Sequence, residues 1–193
     1  MSITLNPVSH VRKWTREEFH RAAQLGFFGP EERLELFDGE IIKKMGENPP
    51  HASAIRRCRI ALEQIFEPVD AFLSVQSPII LADDSEPEPD LAVVHGDVAA
   101  FDSRHPTPAD LLLVVEVSDA TLVFDRERKA RRYAVAEIAE YWILNLPDRR
   151  LEAYRMPVNG AHQVILSLGE LQSISPLAMP QNNIPIIALL PAA

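Results

Sequence analysis

The chain is poor in cysteine, in positive charge and in long apolar stretches, and each shortage closes off a class of protein. A single cysteine among 193 residues, Cys58, has no internal partner, so a disulfide framework is excluded. Its place on an amphipathic stretch reads as a small buried hydrophobe. No apolar run approaches the roughly 20 residues needed to cross a bilayer, and Met1 to Arg12 lacks the hydrophobic region of a signal peptide. No membrane contact and a cytoplasmic location are the expectations that follow. Lys and Arg total 19 against 28 Asp and Glu, a formal net charge of -9. Such a balance argues against a general nucleic-acid coat protein but leaves room for a local basic surface. No repeat, low-complexity tract or linker interrupts the chain. A hydrophobic content of 47% suffices for one substantial core, so a single domain over residues 1–193 is expected.

What the chain does have is clear local punctuation. Thr15-Arg16-Glu17-Glu18 has the form of a capping box, opening a helix that Gly26 ends, with Trp14 and Phe19 at the staple positions. The alternating runs 33–37 and 40–44 about Asp38-Gly39 predict a hairpin with a primed turn. After Pro49-Pro50, Ile55, Cys58, Leu62, Ile65 and Phe66 recur at helical spacing, predicting a helix over about 51–66. Strands are expected at 72–76, 79–82, 90–94 and 111–118, then a helix over about 125–136, then strands at 141–146, 151–155 and 163–168. The proline-rich tail reads as an irregular cover with one short strand. Together these predict an α/β fold: a mixed β-sheet flanked by helices, preceded by a helix and a β-hairpin.

Two carboxylates and a lysine carry the chemistry. Glu116 lies inside the apolar run Leu111-Leu112-Leu113-Val114-Val115-Glu116-Val117, where a lone carboxylate is costly unless paired or metal-bound. Alternation along this strand puts Glu116 with Leu112, Val114 and Ser118, near its C-terminal end, where α/β sheets place their ligands. Asp90, in Glu88-Pro89-Asp90 at the start of another strand, supplies a co-ligand. With the backbone carbonyl of Val117 and waters, Asp90 and Glu116 would form an oxygen-only shell suited to Mg²⁺ or Mn²⁺. Lys129 follows on the next helix, sharing a face with Asp125 and Tyr133. There it reaches a metal-bound water or a scissile phosphate, and metal plus lysine points to phosphodiester hydrolysis. Arg126, Arg128, Arg131 and Arg132, with Arg56, Arg57 and Arg59, are candidates for a positive rim.

Glu88-Pro89-Asp90, Val115-Glu116-Val117-Ser118-Asp119, Asp125-Arg126, Lys129, Tyr133 and Glu140-Tyr141-Trp142-Ile143 resemble the Uma-type family of putative restriction endonucleases, a branch of the PD-(D/E)XK nuclease superfamily. Glu35-Leu36-Phe37-Asp38-Gly39-Glu40 and His51 match the same branch, so the resemblance covers about residues 14–155. It implies a restriction-endonuclease-like fold, a Mg²⁺-type site at Asp90 and Glu116, a supporting role for Glu35, DNA as substrate and a homodimer. The superfamily pattern carries its lysine two residues after the strand carboxylate. That position here is Ser118, and Lys129 stands as a migrated substitute. Glu137 occupies a helix end where relatives often have glycine, which would strain a left-handed cap.

Plainer readings stand beside these. Glu116 and Lys129 equally form a buried ion pair without catalysis, or Lys129 forms a surface pair with Asp125. Glu35 reads equally as a solvent-facing strand residue, His51 as structural, Tyr133 and Trp142 as core, and the arginines as solvated helix faces. A metal-dependent endodeoxyribonuclease leads. A catalytically inactive nuclease-fold module for DNA or protein binding is the alternative, favoured by Ser118 and by the acidic balance. A metal hydrolase of small phosphates is a third possibility.

Overall fold

The computed structural model describes residues 11–192 except Met45. Thr15 caps α1 (Arg16–Gln24) by the expected box: its hydroxyl accepts from the Glu18 N–H, and the Glu18 carboxylate accepts from the Thr15 N–H. Gly26, at φ 74°, turns the chain out of the helix. β1 (Leu34–Phe37) and β2 (Glu40–Lys43) pair antiparallel around Asp38 and Gly39. Both turn residues have positive φ, 51° and 73°, as a primed turn requires. Helix α2 (Pro49–Phe66) starts two residues before the predicted His51. Its prolines occupy the first positions, where a missing N–H costs nothing, and the Asn48 side chain accepts from the His51 N–H.

A six-stranded sheet follows, with spatial order β3 (Ala71–Val75), β4 (Leu91–His95), β5 (Leu111–Ser118), β6 (Glu140–Asn145), β7 (Arg150–Val158) and β8 (Ala161–Gly169). Only the β5–β6 pair is parallel, so the sheet is mixed. The crossover between them is helical: α3 (Leu122–Phe124), a π-helical turn over Asp125–Lys129, and α4 (Ala130–Val135). This helical run therefore begins earlier than predicted and contains an unpredicted wide turn. Leu113, Val115 and Val117 pack on one face against Ile55, Cys58, Leu62 and Phe66 of α2. Ala92, Val94 and Val114 pack on the other with Tyr133, Tyr141 and Ile143. Cys58 is buried there, as expected of a small hydrophobe.

Two expectations are corrected. Residues 79–82 form no ladder strand; Ile79 donates to the Pro87 carbonyl, Ile80 to Pro106 and Leu81 to Ser85. Pro87, opposite Ile79, accepts at its carbonyl but has no N–H to return, so the rung is one-sided and no ladder forms. The tail holds two short paired strands, β9 (Ser173–Ile174) and β10 (Ile184–Pro185), and a helical turn, α5 (Ile186–Leu189), where one strand was expected. Ile186 and Leu189 fill the core beside α2, which explains why a proline-rich tail still folds. Glu137 adopts φ 59° at the end of α4, the left-handed conformation foreseen from its position.

Candidate active site

Antiparallel register brings the two strand carboxylates together. Leu91 lies opposite Val115, and one further step sets Asp90 opposite Glu116, so both side chains leave the same face of the sheet. Asp90 immediately precedes β4 rather than lying within it. Asp90, Glu116, Val117, Lys129 and Glu35 all line one cavity of about 230 Å³, walled by the β1–β2 hairpin, the start of α2 and the turn after β5.

Glu116 is 4% exposed. Its Oε1 accepts from Lys129 Nζ at 2.8 Å and from the Tyr133 hydroxyl at 3.0 Å. Lys129 Nζ also lies 3.7 Å from Asp125 Oδ1 and 3.9 Å from Glu35 Oε1. Lys129 is thus no surface pair. Glu35, 3% exposed, is no solvent-facing residue either, and its Oε2 accepts from the Glu88 N–H at 3.1 Å. Asp90 Oδ2 accepts from the Val117 N–H at 2.8 Å and lies 3.4 Å from His51 Nε2. Glu88 turns away to meet Lys44. Tyr133 is core-buried, as read from the sequence, but its hydroxyl belongs to the site.

The electrostatics are unbalanced. Glu35, Asp90, Glu116 and Asp125 crowd one lysine. Burial pushes the Glu116 carboxyl up to about 8; Lys129 pulls the other way, while Asp125, Asp90 and Glu35 add to the rise. Burial alone would lower Lys129, but Glu116, Glu35 and Asp125 outweigh it and hold the amine charged. For Asp90 burial opposes ionisation, and the His51 hydrogen bond and charge overcome it, so its pKa falls. His51 rises in return: Asp90 outweighs the cost of burying its ring.

Among the described residues no group of three or more His, Cys, Asp or Glu side chains is arranged to hold a metal by itself. The surplus negative charge and the carboxylate oxygens of Asp90 and Glu116 fit Mg²⁺ or Mn²⁺, ions that take one or two carboxylates and keep several waters, with the His51 imidazole nearby. Among the described residues that line the cavity there is no cysteine or methionine, and Cys58 is buried in the core on α2.

The predicted arginine rim is largely neutralised within the fold. Arg126 pairs with Glu152, Arg128 with Glu40, Arg132 with Asp84 and Arg59 with Glu63. Besides Lys129, the Lys and Arg side chains that line the cavity are Arg33, Lys43 and Lys44, in or beside the hairpin; Arg33 pairs with Glu47 and Lys44 with Glu88, and Lys43 is exposed. Gln76, 3.4 Å from Asp90 Oδ1 through its amide, was also not singled out. The hairpin residues come from an element distant in sequence and reach the carboxylates by closing over the sheet, whereas Gln76 reaches Asp90 through the pairing of β3 with β4.

Comparison with known proteins bears on the fold and the family. The crystal structure of a putative nuclease belonging to DUF820 from Anabaena variabilis ATCC 29413 superposes with a TM-score of 0.70 at 16% identity, covering 91% of this chain and 96% of that one. The chain therefore shares its mixed α/β fold with that putative nuclease. The family model Uma2, described as putative restriction endonuclease, matches residues 16–187, and the chain belongs to that family. No curated protein matches it.

Proposed function

We propose that this protein is a metal-dependent endonuclease that hydrolyses phosphodiester bonds in DNA. The observation that carries the reading is the convergence of Asp90, Glu116 and Lys129 on one cavity, with Glu116 raised to about 8 by its buried surroundings. A carboxylate this deeply buried and crowded by three others is held at a cost that a catalytic role accounts for. Asp90 and Glu116 would hold the Mg²⁺ or Mn²⁺ ion, with the backbone carbonyl of Val117 as a further oxygen. When bound, the metal lowers the pKa of its water and offsets charge on the phosphate.

The chain's own residues supply the rest. Lys129 presents a fixed positive charge, locked by Glu116, Asp125 and Glu35, toward charge developing on phosphorus. His51 and the Val117 N–H orient Asp90, and the Tyr133 hydroxyl orients Glu116. Glu35, tied to the Glu88 N–H, steadies the ammonium group from the far side. Lys43 and Arg33 offer phosphate contacts at the rim. A homodimer fits duplex cutting and is part of the reading.

Supercoiled plasmid incubated with Mg²⁺ or Mn²⁺ tests it. Nicking that disappears in Asp90→Ala and Glu116→Ala supports the endonuclease. Folded wild type that leaves DNA uncut with either metal refutes it in favour of the inactive module.

A further inference from the structure

Ser118 stands two residues after Glu116, on the same face of β5, and is fully buried. Its hydroxyl donates to Asp125 Oδ2 at 2.7 Å. The Thr121 hydroxyl, from the turn leaving β5, donates to the same oxygen at 2.7 Å. Asp125 is 1% exposed, and its other oxygen, Oδ1, faces Lys129 Nζ at 3.7 Å. One carboxylate therefore joins the strand that carries Glu116 to the helical turn that carries the lysine.

The turn itself is unusual. The Ala130 N–H bonds the Asp125 carbonyl, five residues back, and the Tyr141 hydroxyl donates to the same carbonyl at 3.3 Å. In a regular α-helix, residues four apart overshoot a full turn by about 40°. Asp125 and Lys129 both line the cavity from this turn, and Tyr133, beyond it, donates to Glu116.

Resting on the endonuclease reading, we infer that Ser118, Thr121 and Asp125 form a positioning unit for Lys129. A serine on the strand anchors the aspartate, and the aspartate aims a helix-borne ammonium group at the space a strand-borne lysine would otherwise fill. Asp125 does not touch substrate; it acts through Lys129.

The test compares Asp125→Asn, Ser118→Ala and Ser118→Thr by two readouts. The first is amine-reactive labelling of Lys129 in the folded protein, read by mass spectrometry. The second is single-turnover plasmid nicking with DNA affinity measured separately. Asp125→Asn and Ser118→Ala are expected to raise Lys129 labelling several-fold and cut the nicking rate at least tenfold, with DNA affinity unchanged. Ser118→Thr, which restores the hydroxyl, recovers the protection of Lys129. Labelling of Lys129 that stays at the wild-type level in both disrupting variants overturns the inference. If Asp125→Asn does not fold, Thr121→Ala, which removes one anchor from a half-buried turn, makes the same contrast. If wild type cuts no DNA, the endonuclease reading fails by itself, and the labelling contrast alone decides whether Asp125 positions the lysine.

Discussion

Glu116→Gln separates a catalytic carboxylate from a structural one. Glutamine keeps the shape, and its amide oxygen still accepts from Lys129 and Tyr133, so the change removes ionisation and little else. The wild-type carboxyl sits near 8 in the fold, against 4.5 in an open chain. A raised folded pKa means that the native state binds the proton more tightly. The associated stability is complete below pH 4.5 and drains away as pH rises toward 8. Each pH unit in that window removes about 1.4 kcal/mol, so roughly 3 kcal/mol has gone by pH 7. That is a large share of the roughly 5–15 kcal/mol that holds a domain together. Urea unfolding across pH 5 to 8 reads the difference directly: the variant and wild type match near pH 5, and the variant becomes the more stable by a few kcal/mol at pH 8. Excess Mn²⁺ then restores wild type only, by about 3 kcal/mol at a hundredfold excess over Kd. A variant less stable than wild type at pH 8 would refute the reasoning. Glu116 would then be an ionised partner of Lys129 that supports the fold, as in the inactive module.

Other outcomes follow from the same contacts. Lys43→Ala should reduce the salt slope of DNA binding by about one, while Arg132→Ala, whose charge faces Asp38 and Asp84, should leave it unchanged; fluorescence anisotropy across a salt series checks both. Arg155→Met should cost about 3–5 kcal/mol in urea unfolding. It strips a cation from Glu140, which is fully buried and otherwise held by the Trp142 indole and the Leu177 N–H. Glu137→Gly should raise thermal stability modestly, by about 0.5–1 kcal/mol, because an exposed glutamate at φ 59° is relieved of strain; an unchanged melting temperature would show that the cap was not strained.

The capping box, the Asp-Gly turn and the strand Leu111–Ser118 were legible because each is specified by neighbours within a few residues. So was the singling out of Glu116, since a carboxylate in an apolar run is conspicuous without any coordinates. The strand expected at 79–82 failed because pairing depends on the donors of the facing segment, and that segment holds Pro87 and Pro89. The arginines of the crossover helix looked like a phosphate track for a similar reason: their carboxylate partners Glu40, Asp84 and Glu152 lie far along the chain.

By itself, then, the sequence determined the helices and strands whose signals are local, and that Glu116 cannot rest unpaired in an apolar strand, for these follow from local sterics and from the cost of burying charge. Tertiary structure alone decided that Asp90 faces Glu116 across two antiparallel strands, that the helical turn after β5 brings Lys129 onto Glu116, and that Glu35 comes within 3.9 Å of the same ammonium group. Those are matters of register and docking, where groups tens of residues apart meet because the sheet and its covering helix leave them no other place.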